Sequence, residues 1–186
     1  MAGRGPAPGL LEAVRSFINT YDVDLPEDSL TTPGDLVSWL AGHDLIDAEA
    51  TATRRQLAAA MRIRDALRVL ALANNGDENA DVRSAWSALD EAAEAAAVML
   101  RFSSEGPLLE PEKEGIEKAL GTILVGVAEA MADGTWARLK VCRDDTCAWV
   151  FYDHSKNRSS TWCAMGVCGN RAKARAYRAR QATSQT

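Results

Sequence analysis

Leu10, Leu11, Val14, Phe17 and Ile18 recur at helical spacing over 9–19, which predicts a short amphipathic helix before a turn-rich stretch at 21–31. Thr32-Pro33-Gly34-Asp35 then sets a capping hydroxyl ahead of proline at the first helical position, and Leu36, Trp39 and Leu40 fall on one face of the helix that follows. Over 47–74, Leu57, Met61, Leu67 and Leu70 mark a long helix. Arg54, Arg55, Arg62, Arg64 and Arg68 lie mostly between these apolar positions, so the helix reads as a surface one, stopped by Asn75-Gly76. Val82, Trp86, Leu89 and Ala93 carry a further helix over 79–97. Val98, Leu100 and Phe102 then alternate before a polar turn and Leu108-Leu109, which leaves room for a small hairpin. Ile116, Leu120, Ile123, Leu124, Val127 and Met131 predict a last helix of this region, starting near Pro111 and ending at Asp133-Gly134.

Composition strengthens the helical reading. The chain of 186 residues holds 33 alanines against 11 aromatics, and alanine is the best helix former. The expected fold class is mainly α: an alanine-rich helical N-terminal domain with that small hairpin over 1–134, then a small β-hairpin-plus-helix module over 135–182, then a flexible tail at 183–186. No stretch has the apolar run of a secretory signal, and the run around 121–131 is too short to span a bilayer, which takes about 20 apolar residues. The expectation is a cytoplasmic protein without a membrane partner.

Charge is divided unevenly. The net charge of −5 conceals 11 cationic against 23 acidic residues up to Ala137, and 10 against 3 from Arg138 onward. An acidic body carrying a basic tip points to a polyanion as partner of the tip.

The basic segment also holds all four cysteines, as Cys142-x4-Cys147 and Cys163-x4-Cys168. Two thiol pairs joined by a loop suit a tetrahedral ion, so a structural zinc held by four thiolates is the expected cofactor. Four thiolates leave no open position for catalysis at the metal. His154 reads as a loop residue because four thiols already meet zinc's usual ligand count, and His43 reads as structural. No Ser/His/Asp or Cys/His set can be assembled, so the chain is not expected to be an enzyme. Trp149, Phe151 and Trp162 read as the miniature core of a module too small to build much core alone, so that zinc would contribute a large share of its stability. After Cys168, Arg171, Arg175 and Arg178 form one helical stripe and Ala172, Ala176 and Ala179 another, with Lys173 and Arg180 across from the arginines. The expectation is that the alanines rest on the module and the arginines face outward to nucleic acid.

The segment RLKVCRDDTCAWVFYDHSKNRSSTWCAMGVCGNRAKARAYRAR (138–180) resembles the CGNR zinc-finger family of bacterial proteins, named for the motif standing here as Cys168-Gly169-Asn170-Arg171. Upstream, Phe17-Ile18-Asn19-Thr20, the T-P-x-D-L-x-x-W-L segment over 32–40 and the alanine-rich helices are similar to the ABATE domain that precedes this finger. The resemblance implies Cys142, Cys147, Cys163 and Cys168 as ligands. It also implies that the basic helix opens with Arg171 and Lys173, and that the chain is a DNA-binding, stress-related transcription regulator. Ser160 and Thr161 stand where the family often carries arginines. Asn19 and Thr20 have no chemistry to carry over and read as turn caps.

Two functions from different classes follow. In the first, Arg171, Lys173, Arg175, Arg178 and Arg180 contact duplex DNA while the helical domain senses a small-molecule effector or forms a homodimer. In the second, the zinc-stabilised module docks an acidic protein partner.

Overall fold

The computed structural model describes residues 5–76, 80–144 and 146–183. Helices α1 (Leu11–Ile18), α2 (Pro33–Ala41), α3 (Arg54–Ala73), α4 (Val82–Ala95) and α5 (Gly115–Ala132) form the body, and α6 (Asn170–Thr183) closes the described chain. Among the described residues, three antiparallel two-stranded ladders join them: β1–β2 (Tyr21–Asp22, Glu27–Asp28), β3–β4 (Val98–Ser103, Gly106–Pro111) and β5–β6 (Leu139–Val141, Val150–Tyr152). The mainly α class with a small hairpin, followed by a hairpin-plus-helix module, is what the sequence predicts. The expected helix start at Asn79 and residues 184–186 of the tail expected at 183–186 lie outside the described residues, and Thr183 is the last residue of α6.

Capping sets the helix starts. Thr32 accepts from the Asp35 amide at 3.2 Å while Asp35 Oδ2 accepts from the Thr32 amide at 2.7 Å, so α2 begins where its proline signals. Thr53 and Gln56 form the same reciprocal pair, and α3 therefore begins at Arg54 rather than near 47. Pro111 ends β4 instead of opening α5, which starts at Gly115.

The surface reading of α3 is overturned. Leu57, Ala60, Ile63, Ala66, Leu67, Leu70 and Ala71 are buried, and α3 packs against α1, α2, α4, α5 and β5. Arg64 is itself 3% exposed, paired with Asp28 at 2.7 Å. Burial works against its charge, yet the bonds to Asp28 and Asp65 raise its pKa above the ordinary value. An arginine on an apolar helix face can thus be an internal clamp when a carboxylate meets it.

Helix α5 approaches its neighbours through two glycines. A Cβ at Gly121 would lie 2.7 Å from Pro111 Cβ and 2.8 Å from Ala96 Cβ; one at Gly126 would lie 2.7 Å from Leu10 Cβ. These distances are closer than side chains tolerate, so the base of the β3–β4 hairpin and the start of α1 depend on these notches. The hairpin itself projects, with Phe102 81% exposed.

Leu139, Val141, Val150 and Tyr152 belong to the same apolar core as α1, α3 and α5. The ladder β5–β6 therefore turns one face to the helices and the other, through Phe151, to the cysteines. No described helix is long and apolar enough to cross a membrane.

Candidate metal centre and basic helix

Each cysteine pair is presented by a tight backbone turn. In the first, the Cys142 amide donates to Trp149 O at 2.9 Å and the Cys147 amide to Asp144 O at 2.8 Å. In the second, the amides of Val167, Cys168 and Gly169 converge on Ala164 O at 3.3, 2.9 and 3.3 Å, a wide turn over Met165–Gly169 that leads into α6. A Cβ at Gly169 would meet Met165 Sδ at 2.4 Å and Trp162 Cδ1 at 3.2 Å, so the exposed Met165 side chain lies over the glycine and would have to move aside for a larger residue. Asn170 Nδ2 donates back to Gly166 O at 2.9 Å.

These turns bring the four Sγ atoms within 4.8 Å of one another, all buried. The Cys147–Cys163 and Cys163–Cys168 separations are each 3.6 Å, and no disulfide joins them. Tetrahedral zinc with Zn–S near 2.3 Å needs sulfurs about 3.8 Å apart, so the set fits one ion. As bare thiols the four cannot ionise together. Hydrogen bonding from Cys163 holds Cys142 down at about 5, whereas burial pushes Cys147 up to about 12 and Cys168 up as well; Cys163, the donor to Cys142, is also raised. A divalent cation would offset the repulsion among four thiolates. His154 is exposed, donates from Nε2 to Gly5 O at 3.0 Å, and stays outside the cluster. Phe151 is buried against the cysteines, with Trp149 and Trp162 half-buried beside it.

The loop between the pairs is held from within. Asp153, fully buried, accepts from Lys140 Nζ at 3.0 Å, from the Ser155 amide at 2.9 Å and from the Ser160 amide at 2.9 Å. Burial alone would raise its pKa, but these bonds, with Ser155 foremost, carry it well below the usual carboxylate range. Lys140 and Arg138, which also donates to Asp153 O and Ser155 O, are thus structural cations.

Two matches join this geometry to known families. Residues 138–181 match the CGNR zinc finger, and 11–134 match the model described as "Putative stress-induced transcription regulator", ABATE. The chain belongs to the ABATE family. No curated protein matches it significantly. In this member of the ABATE family the finger carries one structural zinc site, formed by Cys142, Cys147, Cys163 and Cys168.

The first turns of the basic helix depart from the sequence expectation: Arg171 and Arg175 turn toward the module, while Arg178 of the same stripe is exposed. Arg175 donates to Asp144 Oδ1 at 2.9 Å, and Arg171 lies 3.4 Å from Asp24 and 3.9 Å from Asp144 Oδ2. Ala176 and Ala179 are exposed. The cause is Asp144, only 1% exposed: a buried carboxylate needs a cation more than a methyl stripe needs cover. Burial raises the Asp144 pKa, and Arg175 with Thr146 more than reverses this. Lys173, Arg178 and Arg180 are exposed. No sequence signal marks Asp24 and Asp144 as the partners of the arginine stripe.

Proposed function

We propose that the protein is a DNA-binding transcription regulator, without catalytic chemistry of its own, that grips duplex DNA with the exposed part of α6. The observation that carries this reading is the composition and exposure of that helix. From Asn170 to Thr183 it contains five cations and no acid, and every side chain from Ala176 to Gln181 is exposed. The zinc site and the Asp144 contacts hold its first turns rigidly, so the cations are presented in fixed register. Tyr177, 58% exposed on the same segment, offers a planar surface beside them. Lys156 and Arg158, exposed on the loop between the cysteine pairs, extend the cationic surface.

In this reading Arg171 and Arg175 seat the helix, while Lys173, Arg178 and Arg180 meet phosphates. Fluorescence anisotropy with duplex DNA across a salt series tests it. Lys173→Ala with Arg178→Ala should reduce the log-affinity against log-salt slope by about 2, since each lost phosphate contact removes about 0.9. Affinity indifferent to salt and to both substitutions would overturn the reading.

A second reading, an interaction module, draws on the projecting hairpin, where Met99, Leu100, Phe102 and Leu108 are all exposed. Size-exclusion chromatography at two salt concentrations, with and without DNA, separates the two.

A further inference from the structure

The first turns of α3 and α5 and the last turn of α4 enclose a groove of about 660 Å³, within the size range of small-molecule sites. Its floor is apolar: Ala59, Ile63, Ala92, Ala96 and Leu120. Alanines there create the space, because larger residues at these helix positions would fill it.

The rim is cationic, although the surrounding body is strongly acidic. Arg55, Arg62 and Lys113 stand at the mouth. Arg62 reaches Glu91 at 3.4 Å, an exposed pair of small energetic weight. Arg55 and Lys113 have no carboxylate in ion-pair range among the described residues. The acid on the wall, Glu117, is turned to Gln56 Nε2, which donates to its two oxygens at 2.9 and 3.0 Å. Two positive helix ends, from α3 and α5, face one negative end from α4.

We propose that this groove binds a small amphipathic carboxylate, with its head group between Arg55 and Lys113 and its apolar body on the alanine floor. The charge pattern selects this class. An extended polyanion placed here would be repelled by the acidic body, whereas a single carboxylate interacts mainly with the cations within one screening length. An apolar molecule without charge would leave Arg55 and Lys113 uncompensated, and an amine would be repelled by them. The groove shares no lining residue with the finger, so a carboxylate bound here would give the helical domain a chemical input whether or not α6 meets DNA.

Isothermal titration calorimetry on the full zinc-loaded chain, with octanoate as probe, tests it. Octanoate should bind saturably at one site per chain with a dissociation constant below about 1 mM, and octylamine and acetate should each bind at least about tenfold more weakly. The exposed double substitution Arg55→Glu with Lys113→Glu should weaken octanoate by about tenfold or more. Ala92→Leu, which fills the floor, should do the same with circular dichroism unchanged. No saturable heat with octanoate, equal binding of octylamine, or undiminished binding by the Arg55/Lys113 variant would each overturn the proposal. The surface double variant keeps the test decisive should Ala92→Leu fail to fold.

Discussion

Asn19 pairs with the backbone of Val150 in both directions, Nδ2 donating to Val150 O at 2.8 Å and Oδ1 accepting from the Val150 amide at 2.9 Å. The side-chain amide thus does for β6 what a neighbouring strand would, across 131 residues of sequence. Arg68 reinforces the junction, donating to Ala148 O at 2.9 Å and to Ile18 O and Tyr21 O at 2.7 Å each. Asn74 and Asn75 hold Leu139 O at 2.9 Å and Val141 O at 2.6 Å from the other side. Asn19→Ala leaves a donor and an acceptor of β6 without partners. It should cost roughly 2–3 kcal/mol. Chemical denaturation would give the loss, and hydrogen exchange should show it first at the Val150 amide; full protection there would contradict the assignment.

Removing the metal should have a divided effect. The cysteine turns depend on the ion, but β5–β6 shares the core of the helical body. A strong chelator should abolish exchange protection at Cys142, Cys147 and 163–170 and expose four titratable thiols, while α3 and α5 stay protected. Elemental analysis of the untreated chain should give one zinc. Collapse of the whole molecule on chelation would show that the body cannot hold the hairpin alone.

Asp153 sets an acid limit on the finger. Its folded pKa lies below the unfolded value of about 3.9, so the unfolded chain takes the proton first as pH falls. Its contribution is complete above about pH 4 and is lost as pH drops through the folded pKa. Asp153→Asn removes the counter-charge of Lys140, whose side chain is 10% exposed and keeps only its bond to Arg158 O among the described residues, and should cost roughly 3 kcal/mol at neutral pH. Denaturant titrations of both proteins should converge below about pH 4. A constant gap across that range would refute the pairing.

The cysteine spacing and the capping box at Thr32 are readable because both are local: a metal needs donors at set intervals, and a cap needs an oxygen three residues from an amide. The orientation of α6 is not readable. Periodicity separates the arginine stripe from the alanine stripe but says nothing about which one meets a partner, and that is decided by the buried Asp144. Arg64 and Arg68 mislead for the same reason, since their counterparts, Asp28 and the carbonyls of Ile18, Tyr21 and Ala148, come from distant segments. Phe17-Ile18-Asn19-Thr20 stands out as a motif, yet only the fold shows Asn19 reaching the finger while Thr20 Oγ1 caps locally onto Phe17 O at 2.8 Å.

Gly121 offers the sharpest test of how the hairpin is anchored. Replacing glycine by alanine inside a helix ordinarily stabilises by about 1 kcal/mol, because the backbone loses less freedom on folding. At Gly121 the new methyl would overlap Pro111 Cβ at 2.7 Å and Ala96 Cβ at 2.8 Å, neither of which can swing aside. Overpacking of this kind costs roughly 1–3 kcal/mol, so Gly121→Ala should be net destabilising by about 1 kcal/mol, opposite in sign to the helix preference. Strain should concentrate just ahead of α5, where Glu112 and Lys113 donate to Ala97 O and Ala96 O at 3.2 and 3.3 Å, raising exchange there before it rises within α5. Ser87→Ala, on the exposed face of α4, serves as the control that reports a propensity gain alone. If Gly121→Ala raised the melting temperature as that control does, the close approach of α5 to the hairpin base would be wrong.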